Sequence, residues 1–270
     1  MTNEIIYPYG QGATMPAGYP IANDLDTNSA QQALSAAMGY KLARTHWNGK
    51  KWYGFGTSIT DTSGANPTGK YAPYLAALSG MTFVNKGIAG SGITASSDKR
   101  LYNSIMAFSA QDADLITLEI GANDHNAPIG TIYDGLTGET VTNNSTFCGA
   151  LNLCLRYLLS TTNAQIVVIA SPQRRYNNSE SEPRYGNETF GSDNHTNLDR
   201  DEAIRKVCML NSVYCILAGA ADGLGFARAN ASNNYHVDQV HHTNLGGYNF
   251  AQAIWSQLKN IPLFYTAIPT

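Results

Sequence analysis

From residue 51 onward the chain alternates short apolar runs with helical stretches. The runs cover residues 52–56, 82–85, 115–120, 166–170 and 213–217; the helical stretches cover 71–78, 103–108, 151–159, 202–210 and 248–258. Strands so rich in Val, Ile and Leu, separated by helices, predict a parallel sheet covered by helices on both faces. In such sheets a ligand binds beyond the carboxyl ends of the strands. Residues immediately after each run are therefore where chemistry is expected. Of the 270 residues 43% are hydrophobic and 14% charged, the composition of a chain that can bury a real core.

Composition narrows the function classes. With 17 basic and 20 acidic residues the formal net charge is −3, which lacks the basic face of a nucleic-acid binder and offers nothing to an anionic membrane surface. No apolar run approaches the length of a membrane span. The first residues have neither the basic start nor the apolar stretch of a signal peptide. The expected setting is the cytoplasm, or a larger surface or phage-appendage protein. Cys148, Cys154, Cys208 and Cys215 form no Cys-x-x-Cys pair and lie in apolar stretches, so they are expected to be buried and reduced.

Residues 1–50 differ from the rest. Residues 7–20 are rich in Tyr, Pro and Gly and suit turns. Residues 28–42 carry good helix formers, with Leu34, Met38 and Leu42 on one stripe. The expectation is an arm or linker with a helix over 1–50, followed by one domain over 51–270. Residues 134–146 and 172–197 have no apolar period and predict long loops of the kind that serve as lids or binding surfaces.

Four short motifs fall after strands or before the last helix. In Phe55-Gly-Thr-Ser-Ile-Thr-Asp61, Ser58 stands just past the end of a strand, where a helix could begin. A serine hydroxyl becomes a nucleophile when a neighbouring base takes its proton; Ser is equally at home as a helix cap. In Val237-Asp-Gln-Val-His-His-Thr243, Asp238 and His241 are three residues apart and can face the same way. A carboxylate on one imidazole nitrogen orients the ring and leaves the other nitrogen for a serine. His236, His241 and His242 with Asp238 would be the ligands of an alternative metal site, but no second ligand cluster accompanies them. For His236 and His242 a loop with satisfied polar groups is the preferred reading. Asn85-Lys-Gly-Ile-Ala-Gly-Ser-Gly92 and Ile120-Gly-Ala-Asn-Asp124 offer backbone N–H groups and the Asn123 amide, donors suited to the anionic intermediate of acyl transfer. The first lacks the Lys-Ser/Thr ending of a phosphate loop.

Taken in order, Gly-x-Ser-Ile-Thr, Asn-x-Gly-x-x-Gly, Gly-x-Asn-Asp and Asp-x-x-His closely resemble the motifs of the SGNH hydrolases, the GDSL family of esterases and lipases, over residues 51–260. The resemblance implies a three-layer α/β/α sandwich around a five-stranded parallel sheet of flavodoxin-like order. It implies Ser58 as nucleophile, His241 as base and Asp238 as its orienting partner, with Ser58, Gly90 and Asn123 forming the oxyanion hole. No cofactor and no metal are implied. Thr57 stands where the family has an acid, and His242 where members often have proline.

The resemblance implies acyl-ester substrates: acetylated sugars, short acyl esters, lysophospholipids or thioesters. The lack of apolar runs around the motifs disfavours long acyl chains. Arg174 in the loop after residue 172, with Tyr185 and His195, suits carbohydrate, as do the 16 tyrosines. Thr57, Asp124, Arg174 and His242 are the candidate substrate contacts. The expected activity is deacetylation of O-acetylated carbohydrate or another short-acyl ester. The alternatives are a short-chain lipase or thioesterase and a catalytically silent glycan-binding module. Residues 21–42 loosely resemble connector segments of phage-tail and gut-bacterial surface proteins, which suggests display on an appendage.

Overall fold

The computed structural model describes residues 21–22, 33–34, 45–63, 69–94, 101–124, 127–136, 143–172, 197–218, 235–238 and 240–264. The chain divides into two units, Met1–Thr45 and His46–Thr270. In the first, β1 (Ile21–Ala22) pairs in parallel with β2 (Ala33–Leu34). Ala33 and Leu34 fall inside the stretch expected to be helical, and here the expectation fails. Helix propensity is a weak prior, and a short helix without a packed face is marginal, so main-chain pairing prevails at these two residues. The other residues of that stretch lie outside the described ones.

The second unit holds a five-stranded sheet formed by β3 (Lys51–Gly56), β4 (Thr82–Gly87), β5 (Leu115–Ile120), β6 (Gln165–Ala170) and β7 (Tyr214–Ile216). All four pairings are parallel, in the order β4-β3-β5-β6-β7. Counted along the chain, the second sheet strand lies outside the first, which is the flavodoxin-like order expected. The helices are α1 (Tyr71–Ser79), α2 (Leu101–Met106), α3 (Phe147–Thr161), α4 (Asn197–Leu210) and α5 (Asn244–Leu258).

Successive strand residues point to opposite faces, which divides the interior into two cores. Tyr53, Phe55, Ile116, Leu118, Ile166 and Val168 pack with residues of α2, α3 and α4. Trp52, Leu115, Val167, Ile169 and Ile216 pack with α1 and α5. Because both faces are buried, the central strands are apolar almost throughout, and the three layers follow. Thr146 caps α3 by accepting from Gly149 N at 3.1 Å, and Gly80, at φ +77°, ends α1. Among the described residues no helix is long and apolar enough to cross a membrane.

The second unit begins ahead of the first strand. Trp47, in a 3₁₀ turn (Thr45–Trp47), is fully buried in the α1/α5 core, and its indole donates to the Leu258 carbonyl at 3.0 Å. A single buried indole carries no periodicity, so the strand pattern alone starts the domain at residue 51. Trp47→Ala removes that packing and leaves the Leu258 carbonyl without its donor; it is expected to cost about 3–5 kcal/mol. Urea unfolding followed by circular dichroism measures it, and a loss below about 1 kcal/mol would show that Trp47 is peripheral.

Candidate active site

The turn after β3 carries Ser58. Thr60 N and Asp61 N both donate to Thr57 O, at 3.1 and 2.9 Å, closing a single turn over the strand end. A helix could have begun here; instead α1 begins at Tyr71, where the sequence pattern places it. The Asp61 carboxylate explains the difference, because its Oδ1 accepts from Ser63 N (2.8 Å) and Ser63 Oγ (2.6 Å), a local bond that competes with helix. Gly56 is required for the closure: a Cβ there would lie 2.2 Å from Thr60 Oγ1 and 2.8 Å from Glu119 Oε2.

The loop before α5 brings two more groups to this turn. Ser58 Oγ lies 2.9 Å from His241 Nε2, and His241 Nδ1 lies 2.7 Å from Asp238 Oδ2. The other oxygen of Asp238 accepts from the amides of Val240 (2.7 Å) and His241 (2.6 Å), which fixes the carboxylate beside the ring. Burial pushes the Asp238 pKa up, but the bonds from His241 and Val240 outweigh it and hold the carboxyl below its ordinary range. A carboxylate at Nδ1 makes that nitrogen the donor and leaves Nε2 to accept from the serine. Lys70, just before α1, donates to the Ser58 carbonyl. Its own pKa is lowered by burial, against the pull of Asp61, Glu119 and Asp238.

Two neighbouring loops face the same strand ends. After β4, Gly90 is exposed and holds φ +76°, a conformation that favours glycine. Asp61 ties this loop to the serine turn, accepting from Ala89 N at 3.2 Å and from Asn85 Nδ2 at 3.0 Å. After β5, Asn123 Nδ2 donates one hydrogen to Ser91 O at 2.9 Å, which orients the amide and leaves its second hydrogen available. Among the described residues the amides of Ser58 and Gly90 donate to no protein acceptor. Ser58, Gly90 and Asn123 thus stand at the ends of three adjacent strands.

Three residues expected to touch substrate do not face solvent. Thr57 is fully buried, and its N–H and hydroxyl donate to Glu119 Oε2 at 2.9 and 2.8 Å. Asp124 is buried and accepts from Thr94 N and Thr94 Oγ1, both at 3.0 Å, and burial raises its pKa against the pull of Thr94 and Arg200. His242 is buried with its ring 4.8 Å from His236 and 5.4 Å from Phe250. Buried in this way, the three side chains are turned into the fold rather than toward a substrate. The two buried histidines were also expected to be satisfied, yet none of their ring nitrogens has a partner. Among the described residues no three His, Cys, Asp or Glu side chains converge to hold a metal. Arg174, Tyr185 and His195 lie outside the described residues. All four cysteines are free, three buried and Cys215 half-buried.

Glu119 escaped the motif search. It is fully buried near the end of β5, its Oε2 also accepts from Thr60 Oγ1 at 3.1 Å, and Ser171 Oγ donates to its Oε1. Burial raises its pKa, against the four donors from Ser171, Thr57 and Thr60. The available signal was a carboxylate inside an otherwise apolar strand.

The pattern of the GDSL-like lipase/acylhydrolase family matches residues 55–248. The chain belongs to that family. Solved structures agree with the fold of a GDSL-like hydrolase. One is a Lactobacillus plantarum protein, 25% identical, with TM-score 0.65 over 79% of this chain and 98% of that one. Others are a possible lipase from Chitinophaga pinensis (17% identical, TM-score 0.55, 76% of this chain and 96% of that one) and a candidate GDSL-like lipase from Bacteroides ovatus (14% identical, TM-score 0.55, 79% and 100%). No curated protein matches the chain in sequence. As a GDSL-like acylhydrolase, the protein is an ester hydrolase.

The buried histidine of this hydrolase makes its stability sensitive to acid. Burial, with His236, His241 and Lys70 nearby, lowers the His242 pKa to about 3. The folded value lies below the unfolded value of roughly 6.5, so neutral His242 contributes stability that is present above that pH and lost as pH falls toward 3. Between pH 7 and pH 5 the loss from this group is about 2 kcal/mol. Urea unfolding at the two pH values should show wild type losing about that much more than His242→Phe; equal losses would refute the assignment.

Proposed function

We propose that this ester hydrolase works through an acyl-enzyme on Ser58, and that its substrates are short-acyl esters, O-acetylated carbohydrate foremost. One observation carries the mechanism: the continuous chain from Ser58 Oγ to His241 Nε2 (2.9 Å) and from His241 Nδ1 to Asp238 Oδ2 (2.7 Å). Ser58 Oγ attacks the ester carbonyl carbon as its proton passes to His241 Nε2. Asp238 holds the ring and stabilises the imidazolium that results. The carbonyl oxygen, now anionic, receives N–H bonds from Ser58, Gly90 and the Asn123 side chain. As the intermediate collapses, His241 returns its proton to the departing alcohol, leaving the acyl group on Ser58. Water, deprotonated by His241, then releases the acid and restores the serine.

The surroundings support a short acyl group and a polar alcohol. Ser58 is hydrogen-bonded to Lys70 and His241, and Asp61 joins its turn to Asn85 and Ala89 N, a polar network, whereas a long acyl chain needs an apolar channel. The side chains of His241 and Asp238 are 37% and 52% exposed, which leaves the leaving-group side open to a bulky alcohol. Arg174, Tyr185 and His195 add, from sequence alone, groups suited to sugar.

Hydrolysis of p-nitrophenyl esters tests both parts. Ser58→Ala is expected to lower kcat at least ~10³-fold, the scale of losing a nucleophile, and EDTA to leave the wild-type rate unchanged because the mechanism uses no metal. Acetate esters should be cleaved faster than octanoate esters, and acetylated glycans should release acetate. Substantial activity in Ser58→Ala would overturn the mechanism; a preference for octanoate would overturn the substrate class.

A further inference from the structure

We propose that Glu119 is a positioning residue for the reaction, a single carboxylate that sets the Ser58 turn against the Asn123 loop; this rests on the reading of Ser58 as nucleophile. Its bonds are distributed accordingly. Oε2 accepts from Thr57 N (2.9 Å), Thr57 Oγ1 (2.8 Å) and Thr60 Oγ1 (3.1 Å), residues that bracket Ser58 on both sides. Oε1 accepts from Ser171 Oγ, which in turn accepts from Ala122 N at 3.0 Å, next to Asn123. From β5, the middle strand, Glu119 therefore holds the ends of β3 and β6 and the loop leaving its own strand. Tyr71 OH, 3.1 Å from Thr60 Oγ1, extends the connection to α1.

A carboxylate retained merely to fill the core would be a poor choice, since a buried carboxylate needs several donors to be tolerated. Here the donors to the carboxylate belong to the serine turn or to Ser171, the residue that holds the Asn123 loop. The arrangement also accounts for Thr57. Where the family has an acid, this chain has a hydroxyl that donates to Glu119; an aspartate there would set two carboxylates against each other. Thr57 and Glu119 are thus complementary, and Gly56 clears the space where Thr60 meets Glu119, its would-be Cβ clashing with both Thr60 Oγ1 and Glu119 Oε2. Glu119 does not touch the reacting atoms. Its effect passes through the placement of the serine turn and of the oxyanion donors, and misplacement by a fraction of an ångström to an ångström costs on the order of 10- to 100-fold in rate.

The experiment measures p-nitrophenyl acetate kinetics for Glu119→Gln, Thr57→Val, Thr57→Ser and the Glu119→Gln/Thr57→Val double variant, with Ser58→Ala alongside and melting curves for all. Glu119→Gln is expected to lower kcat ~10- to 100-fold while KM stays within about twofold, as loss of alignment without loss of binding. Thr57→Val should show the same split, Thr57→Ser should recover most of the lost kcat, and the double variant should fall little below the worse single one. Should Glu119→Gln fail to fold, the Thr57 pair alone decides the matter through the hydroxyl that Val lacks and Ser keeps. Wild-type kcat in a folded Glu119→Gln, or equal kcat in Thr57→Val and Thr57→Ser, overturns the proposal. If Ser58→Ala itself remains active, the nucleophile reading is what has failed; if it is inactive and Glu119→Gln is fully active, the positioning role alone falls.

Discussion

A parallel sheet covered on both faces has no room for chemistry along its length, because every face position is needed for packing. Polar function is pushed to the carboxyl ends, and the strand order decides which ends are neighbours. In this protein β3 lies between β4 and β5, so the loops carrying Ser58, Gly90 and Asn123 emerge side by side although 65 residues of chain separate the first from the last. His241 completes the group from the approach to α5, which packs on α1 on the same face of the sheet. The fold contributes adjacency, and the loops contribute the reactive groups.

Two buried carboxylates flank the end of β5 and divide the task of holding those loops. Glu119 takes the serine turn, and Asp124, through Thr94, takes the loop after β4. Neutral donors reach both oxygens of Glu119 and Oδ1 of Asp124, so each acts as a local template for the surrounding backbone. The His236–His242 pair works differently. It closes the loop that presents Asp238 and His241 through an isolated antiparallel bridge, yet its ring nitrogens are unpartnered. That loop is therefore held by packing, by main-chain bonds such as Val237 N to His241 O at 2.9 Å, and by the Asp238 carboxylate on the Val240 and His241 amides.

The layered fold was legible because its signals are local: apolar runs of strand length alternating with helical stretches place β3 to β7 and α1 to α5 within a few residues. Ser58, Asp238 and His241 were legible as residue types at telling positions, and the structure brings them into contact. What escaped depends on the third dimension. Trp47 joins the core through one indole that no period announces. Glu119 lies in a stretch whose apolar character advertised only a strand. Asp61 closes a side-chain-stabilised turn where a helix could have begun, and Thr57, Asp124 and His242 looked like contact residues because sequence adjacency to a reactive group does not reveal which way a side chain points.

The Ser58–His241 hydrogen bond joins residues 183 apart, and Trp47 reaches Leu258 across 211. During synthesis, then, the serine leaves the ribosome long before the imidazole it comes to contact, and the intervening strands have to find their order first. Long-range contacts of this kind are made late, after much loop closure. On the acyl-enzyme mechanism proposed above, a nascent or truncated chain carries an inert hydroxyl, and turnover begins only when the last helix docks. Enzymatic activity in this protein therefore doubles as a report that the whole sheet has been assembled.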